Sequence, residues 1–329
     1  MTQDRRLPIS TDVARAAGVS RSTVSLVLND TPGARIPGST RARVLAAAAD
    51  LGYVVNRAAA DLRRGTSLTV LSVLDQTLVD STSVAFLPVL AEALRESGLN
   101  LITAVVSGEA GEREAYAWAA LRPVALIAFG ASLTSAARAV IRAAGCVVVG
   151  DHDADVLLSV NQTAVAAAGV AAMHERGRRR LLQVLATDGS PAALTQARVT
   201  AFERAAGAGG LGTVRVSLAG TEVVDLVAAI RGWPVRPDGI VTQNDEYAAV
   251  LLGALLDAGV RVPGDIAVLG ADNTAWGRWM RPALSTIALE PGRVIDQLLA
   301  VLDAIRSGEA YPGAVVLDPQ ARVLHRQTT

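Results

Sequence analysis

From Leu68 onward the chain alternates short apolar runs with longer amphipathic stretches. The first run, LTVLSVL (68–74), is apolar nearly throughout, the pattern of a strand covered on both faces. A helix over about 83–97 follows, then LNLITAVVS (99–107), a helix over about 109–121, VALIAFG (124–130), a helix over about 133–144 and CVVVG (146–150). After Val160 the rhythm restarts: helix 162–176, strand RLLQVLA (180–186), helix 191–206, strand 213–218, helix 221–231, strand GIVTQ (239–243), helix 246–259 and strand IAVLGA (266–271). Parallel strands need a crossover between them, and a helix on the sheet face supplies it. The alternation therefore predicts two doubly wound, parallel-sheet α/β units in tandem. Ligands in such sheets sit beyond the carboxyl ends of the strands, so a two-lobed binding module with a cleft between the lobes is expected.

The first 65 residues follow another pattern. DVARAAGVSRSTVSLVLN (12–29) reads as two short helices joined by a tight turn. Thr11 is the expected N-cap of the first, with Val13, Ala16 and Ala17 on its apolar side. Gly18 supplies the left-handed residue that stops it. Ser20 then caps a second helix from Arg21 to about Asn29. At about 100° per residue, Val24, Val27 and Leu28 gather on the packed side. Ser22, Ser25, Leu26 and Asn29 fall on the other, with Arg21 at the first turn and Thr23 beside it. A short helix with one free, hydrogen-bonding side fits a DNA major groove. A helical hairpin in any small domain is the other reading. The loop DTPGARIPG (30–38) leads to a third helix from about Ser39 to Leu51, with Val44, Leu45, Ala48 and Leu51 at core spacing and Gly52 as its stop. Asn56 and Gly65 then bracket about eight residues of helical composition, a length that is marginal alone in water.

Charge separates the readings of the helical segment. The whole chain balances 31 arginines against 31 acids. Residues 1–65 hold ten of the arginines and five of the acids, leaving 21 and 26 for the remainder. A basic arm on an acidic body suits a chain whose first segment alone meets phosphate. The single cysteine, Cys146, excludes an intrachain disulfide. No apolar run reaches 18 residues and MTQDRRLPIST does not resemble a signal peptide, so a cytoplasmic protein without a membrane role is expected. No GxGxxG follows the first strand, and there is no P-loop, HExxH or GxSxG. The chain is expected not to be an enzyme and to use no cofactor or metal.

These motifs resemble the lactose/galactose-repressor (LacI/GalR) family of bacterial transcription factors over essentially the whole chain. DVARAAGVSRSTVSLVLN looks like its helix-turn-helix signature, and TRARVLAAAADLGYVVNRAAADLRRG like its third helix and hinge. PDGIVTQNDEYAAVLLGALLDAGVRVPGDIAVLGADN, RPALSTIALEPGRVIDQLL and VVLDPQARVLHRQTT look like its later segments. The resemblance implies a helix-turn-helix headpiece over 1–55, a hinge helix over 56–66 and a two-lobed effector-binding and dimerisation domain over 67–329. Its N-lobe would take about 67–161 and 290–317, its C-lobe about 162–289 and 318–329, with crossings near Asn161, Glu290 and Asp318. It implies DNA contacts from Ser20, Arg21, Ser22, Thr23, Ser25, Leu26 and Asn29, and from Asn56, Arg57, Ala59 and Leu62 in the hinge, with Leu62 directed into the minor groove.

Effector candidates carried over from the family are Arg198, Asn244, Asp245 and Asp272, with Asp75 at the end of the first strand and Trp276 as a stacking surface. Each has a plainer reading. Asp245 and Asp272 could cap helices, Arg198 could form a structural ion pair, and Trp276 and Trp279 could simply pack. The chain departs from the family in having Asp75-Gln-Thr-Leu after the first strand, Asn161-Gln162 before the crossing helix, and Leu289 where glutamine is usual. The partners implied are a double-stranded, palindromic DNA operator, a small-molecule effector (a sugar or other polar metabolite) and a second copy of the chain. The function implied is ligand-controlled repression. A two-lobed solute-binding protein without a DNA role is the alternative.

Overall fold

The computed structural model describes residues 8–28, 33–53, 68–76, 81–128, 130–186, 192–218, 223–232 and 234–329. Asn29, Asn56, Arg57, Ala59 and Leu62 lie outside them. Two units are distinguished, Met1–Thr66 and Ser67–Thr329.

The first unit contains helices α1 (Ser10–Ala17), α2 (Arg21–Leu28) and α3 (Gly38–Asp50). Val13, Ala17, Val24, Val27, Val44 and Ala48 meet in one core. Three expectations are corrected. The cap of α1 is Ile9 rather than Thr11: the Ile9 N–H donates to the Asp12 carboxylate at 3.0 Å, so the helix starts earlier, with an acid in its first turn. Ala14, not Ala16, completes the buried side of α1. In α3, Leu45 and Leu51 are exposed, at 49% and 39%, and Ala47 takes their place. The inward stripe is 44, 47 and 48, spaced i, i+3, i+4, and Leu45 falls about 100° off it. Gly18 at φ +64° ends α1, and the Ser20 hydroxyl caps α2 by accepting from the Thr23 N–H at 3.1 Å.

The second unit holds two six-stranded sheets. The N-lobe sheet is built from β1 (Thr69–Asp75), β2 (Asn100–Val106), β3 (Ala125–Ala128), β4 (Val147–Gly150), β5 (Val156–Val160) and β11 (Ala314–Leu317). Its order is β11-β5-β4-β3-β1-β2, parallel throughout. The C-lobe sheet uses β6 (Arg180–Ala186), β7 (Gly212–Leu218), β8 (Gly239–Thr242), β9 (Ala267–Ala271), β10 (Ser285–Glu290) and β12 (Gln320–Leu324). Its order is β12-β10-β9-β8-β6-β7, parallel except for β12.

Helices α4 (Ser81–Glu96), α5 (Glu112–Ala120), α6 (Ser135–Ala143) and α11 (Gly292–Ser307) accompany the N-lobe sheet. Helices α7 (Thr163–Glu175), α8 (Ala192–Ala208), α9 (Val223–Gly232) and α10 (Asp245–Asp257) accompany the other. Each sheet has a buried core on both faces, which is why β1 and β8 read as unbroken apolar runs. The chain passes between the sheets after β5, after β10 and after β11. Strand β5 is not among the strands expected from sequence. Asp151, Asp153 and Asp155 precede it, and it alternates buried and exposed residues instead of forming an apolar run.

Candidate functional site

On α2, Val24 and Val27 are fully packed, while Ser20, Arg21 and Ser22 are exposed and Thr23 and Ser25 half-buried. The Ser20 hydroxyl also lies 2.7 Å from the Ser22 hydroxyl and 2.9 Å from that of Thr23, which orders the helix start. Leu26 is half-buried, not fully outward as expected. It follows Ser25 and precedes the buried Val27, so it flanks the packed stripe. Leu28, expected in the core, is packed against it and only partly buried.

In the C-lobe, the carboxyl ends of the strands carry an arginine and amide cluster. Arg198, on α8, donates from Nε to Gln162 Oε1 at 3.0 Å and from Nη1 to the Gln243 carbonyl at 2.9 Å. Gln162 precedes α7 and is buried, and Gln243 follows β8. Behind them lies a cavity of about 40 Å³, lined among others by Gln183, Arg198, Phe202, Val241 and Ile287. The three glutamines are absent from the site residues expected from sequence. The legible signal was Gln183, a polar residue in the middle of an apolar strand.

The carried-over acids occupy a different arrangement. Asn244 is the cap of α10, its Oδ1 accepting from the Tyr247 N–H at 3.0 Å. Asp245 packs inward at the start of α10. It is fully buried, and its Oδ2 accepts from the Thr274 N–H at 2.7 Å and the Thr274 hydroxyl at 2.8 Å. Burial pushes its carboxyl above the ordinary range, while hydrogen bonds from Thr286 and Thr274 pull the other way. Asp272 sits just past β9 at φ +94°, followed by Asn273 at φ +52°. Two successive left-handed residues without glycine hold strain of order 1–3 kcal/mol each, which the surrounding contacts must maintain. The Asp272 N–H donates to the Ile287 carbonyl at 2.8 Å, and Arg326 donates to Asn273 Oδ1 at 2.7 Å. Trp276 is half-buried and leans on the core beside α10. Trp279 is 67% exposed, with the Arg278 guanidinium 5.1 Å from its ring centroid.

In the N-lobe, Asp75 Oδ2 accepts from the Gly108 N–H at 3.0 Å, joining the ends of β1 and β2. A second polar group there is not among the residues expected from sequence. Asp151 Oδ1 accepts from the Gly130 N–H at 3.1 Å and lies 3.0 Å from His152 Nδ1, and His152 Nε2 is 3.5 Å from the Ser132 hydroxyl. Among the described residues, no group of three metal-ligating side chains comes together.

A helix-turn-helix unit ahead of a two-lobed α/β sensor defines the class: a DNA-binding regulator governed by a small molecule. The chain belongs to the lacI family of bacterial regulatory proteins. Residues 11–56 match that family, and residues 170–329 match the periplasmic binding protein-like domain. The HTH-type transcriptional regulator GntR of Pseudomonas aeruginosa is 33% identical over 319 residues, covering 90% of this chain and 89% of the relative. The HTH-type transcriptional repressor PurR of Vibrio vulnificus is 26% identical over 319 residues, covering 88% and 90%. The lac repressor dimer bound to operator and the anti-inducer ONPF superposes with a TM-score of 0.72 at 20% identity, covering 98% of this chain and 99% of that one. A transcriptional regulator CelR–cellobiose complex gives 0.63 at 21% identity, covering 98% and 100%. The protein is thus a ligand-responsive, DNA-binding transcriptional regulator of the repressor type.

Proposed function

We propose that two copies of this chain bind a palindromic operator, each placing α2 in the major groove, and repress the adjacent gene under the control of an effector held in the cleft between the lobes. The observation that carries the DNA half is the division of α2 into a packed side, Val24 and Val27, and an exposed start, Arg21 and Ser22. Arg21 offers phosphate or guanine contacts, and Leu26 at the flank offers an apolar contact to a thymine methyl. Residues 56–66 act as a hinge, with Leu62 as a minor-groove wedge and Asn56, Arg57 and Ala59 around it. Arg198 and Asp272 hold the effector, a sugar or other polar metabolite, and Trp276 borders it. The chain works in the cytoplasm and catalyses no reaction. No helix among the described residues is long and apolar enough to cross a membrane. The headpiece core argues against a plain solute-binding role, because such a role has no use for a separate basic unit. Selection from random duplexes tests the proposal. Recovery of a two-fold symmetric site is expected, and recovery of no consensus would contradict it.

A further inference from the structure

Gln183 stands in the middle of β6, with Leu182 and Val184 beside it in the strand. It is only 7% exposed, and its Oε1 has no hydrogen-bond partner. A buried amide oxygen left without a donor costs about 1–3 kcal/mol relative to a satisfied one. An apolar residue of similar size would avoid that cost. The oxygen is explained if a donor reaches it in the working state of the protein.

The surroundings set what that donor can be. Gln183 lines the cavity of about 40 Å³, whose other walls include Ala166, Phe202, Val241 and Ile287. A cavity of about 150 Å³ is what takes up a benzene-sized ring, so this one is too small for a ring. Gly169 also lines it, and a methyl group there would come within 3.0 Å of Ile287 Cδ1, so the wall is tight. An ammonium group would leave water for a mainly apolar hole whose lining offers, among the described residues, one unpartnered amide oxygen, which is costly. A neutral hydroxyl on one carbon meets both limits. Arg198 and Gln162, hydrogen-bonded to each other, belong to the same lining. The remainder of such a ligand would lie beside them.

We propose that the cavity is the inner end of the effector site and receives a primary alcohol, a CH2–OH arm whose hydroxyl donates to Gln183 Oε1. In the absence of ligand, water takes the same position. Gln183 is then a specificity-determining residue, selecting hydroxymethyl compounds over their methyl counterparts. This rests on the effector reading above and adds the chemical class of the ligand.

The test has two arms on the full-length protein. In the first, crystals are grown without ligand and then soaked in glycerol. A water, then a glycerol hydroxyl, is expected within hydrogen-bond distance of Gln183 Oε1. A dry cavity, a Gln183 side chain turned to a protein donor, or a water that glycerol does not replace overturns the proposal. In the second, thermal stabilisation is measured with matched pairs: D-glucose and 6-deoxy-D-glucose, D-galactose and 6-deoxy-D-galactose, D-mannose and 6-deoxy-D-mannose, glycerol and 1,2-propanediol. At least one hydroxymethyl member is expected to bind wild type tenfold or more tightly than its methyl partner, and Gln183→Leu is expected to abolish or reverse that preference. Equal binding within every pair, no binding by any hydroxymethyl member, or an unchanged preference in Gln183→Leu overturns it. Gln183→Met, closer in shape, serves if the leucine variant does not fold. Operator binding by both variants is measured alongside. Its retention with a lost preference supports the proposal, whereas absence of operator binding in wild type counts against the regulator reading instead.

Discussion

The side-chain amide of Asn161 joins two of the three segments that pass between the lobes: its Nδ2 donates to Asp318 Oδ1 at 2.9 Å. Asn161 follows β5 and Asp318 follows β11. The same amide accepts from the Thr163 N–H at 2.9 Å, which satisfies the start of α7. Arg293, just after the crossing that follows β10, lies 3.5 Å from Asp318 Oδ2, and Gln297 Oε1 accepts from the Asp318 N–H at 2.9 Å. All three crossings are thereby tied to one aspartate.

Asn161→Ala removes a hydrogen bond to a charged group and the acceptor of the first N–H of α7 together. Each contributes about 1–2 kcal/mol, so a loss of about 2–3 kcal/mol is expected, reduced by the partial exposure of Asp318. Urea unfolding with an unchanged m-value reads it. Faster amide exchange at Thr163 and Asp318 should accompany the loss, and a stability equal to wild type would refute the role of this amide.

Gly270→Ala should be among the most damaging small substitutions in the C-lobe. A Cβ at Gly270 would overlap Asp245 Oδ1, a buried carboxylate whose other oxygen is held by Thr274. Overpacking of this kind costs about 1–3 kcal/mol, and displacing the carboxylate adds to it. The companion substitution Gly253→Ala, with open space around its Cβ, should cost little. Melting temperatures of the two variants decide whether the packing at Asp245 is as described.

Asp245 also gives the protein a signed pH dependence. Its folded pKa is raised above 3.8, chiefly by burial. Its contribution to stability is therefore fully present below 3.8 and declines as pH rises through the folded value. Asp245→Asn removes that decline. Relative to wild type, the variant should be more favourable at pH 7.5 than at pH 4.5. The opposite sign in paired urea titrations would contradict burial as the dominant cause.

Cys146 should be inert in the native protein. It is 3% exposed, and burial, with Asp155 nearby, pushes its thiol up to about 12. Only the thiolate reacts, so a thiol reagent at pH 8 should label Cys146 at the rate of unfolding. Rapid labelling without urea would contradict the packing around β4.

Arg198→Ala and Arg198→Lys should both retain operator binding and lose the response to effector. Arg198 reaches Gln162 from Nε and the Gln243 carbonyl from Nη1. A lysine cannot reproduce that two-nitrogen geometry. Gel shifts with and without effector read the outcome, and restored response in the lysine variant would show that charge alone suffices.

Much of the fold was legible in the chain, for physical reasons that differ by element. β1 and β8 were plain because burial on both faces leaves little room for polar residues to blur the run. The turn at Gly18 and the cap at Ser20 were plain because local chemistry decides them. The inward phase of α1 and α3 was less so. Alanine gives a weak signal of burial, and choosing Ala14 and Ala47 over Ala16 and Leu45 took the packing of three helices. β5 was hidden by the aspartates ahead of it. In the site, Arg198 was reached through its family resemblance, whereas its partners Gln162 and Gln243 are distant in sequence. Asp245 read as a ligand contact or a cap, yet its neighbour Asn244 is the cap, and only the fold brings Thr274 to it.

The regulator reading stands or falls on whether Arg21 and the exposed side of α2 recognise a specific DNA sequence. The affinity of the full-length protein and of Arg21→Ala for the selected operator and for a scrambled duplex, across salt from about 50 to 200 mM, decides it. Wild type should prefer the operator by about a thousandfold or more, with affinity falling steeply as salt rises. Arg21→Ala should weaken binding and, if Arg21 meets phosphate, reduce the salt slope by about one. Equal affinity for both duplexes, or an Arg21→Ala variant indistinguishable from wild type, would contradict sequence reading by α2.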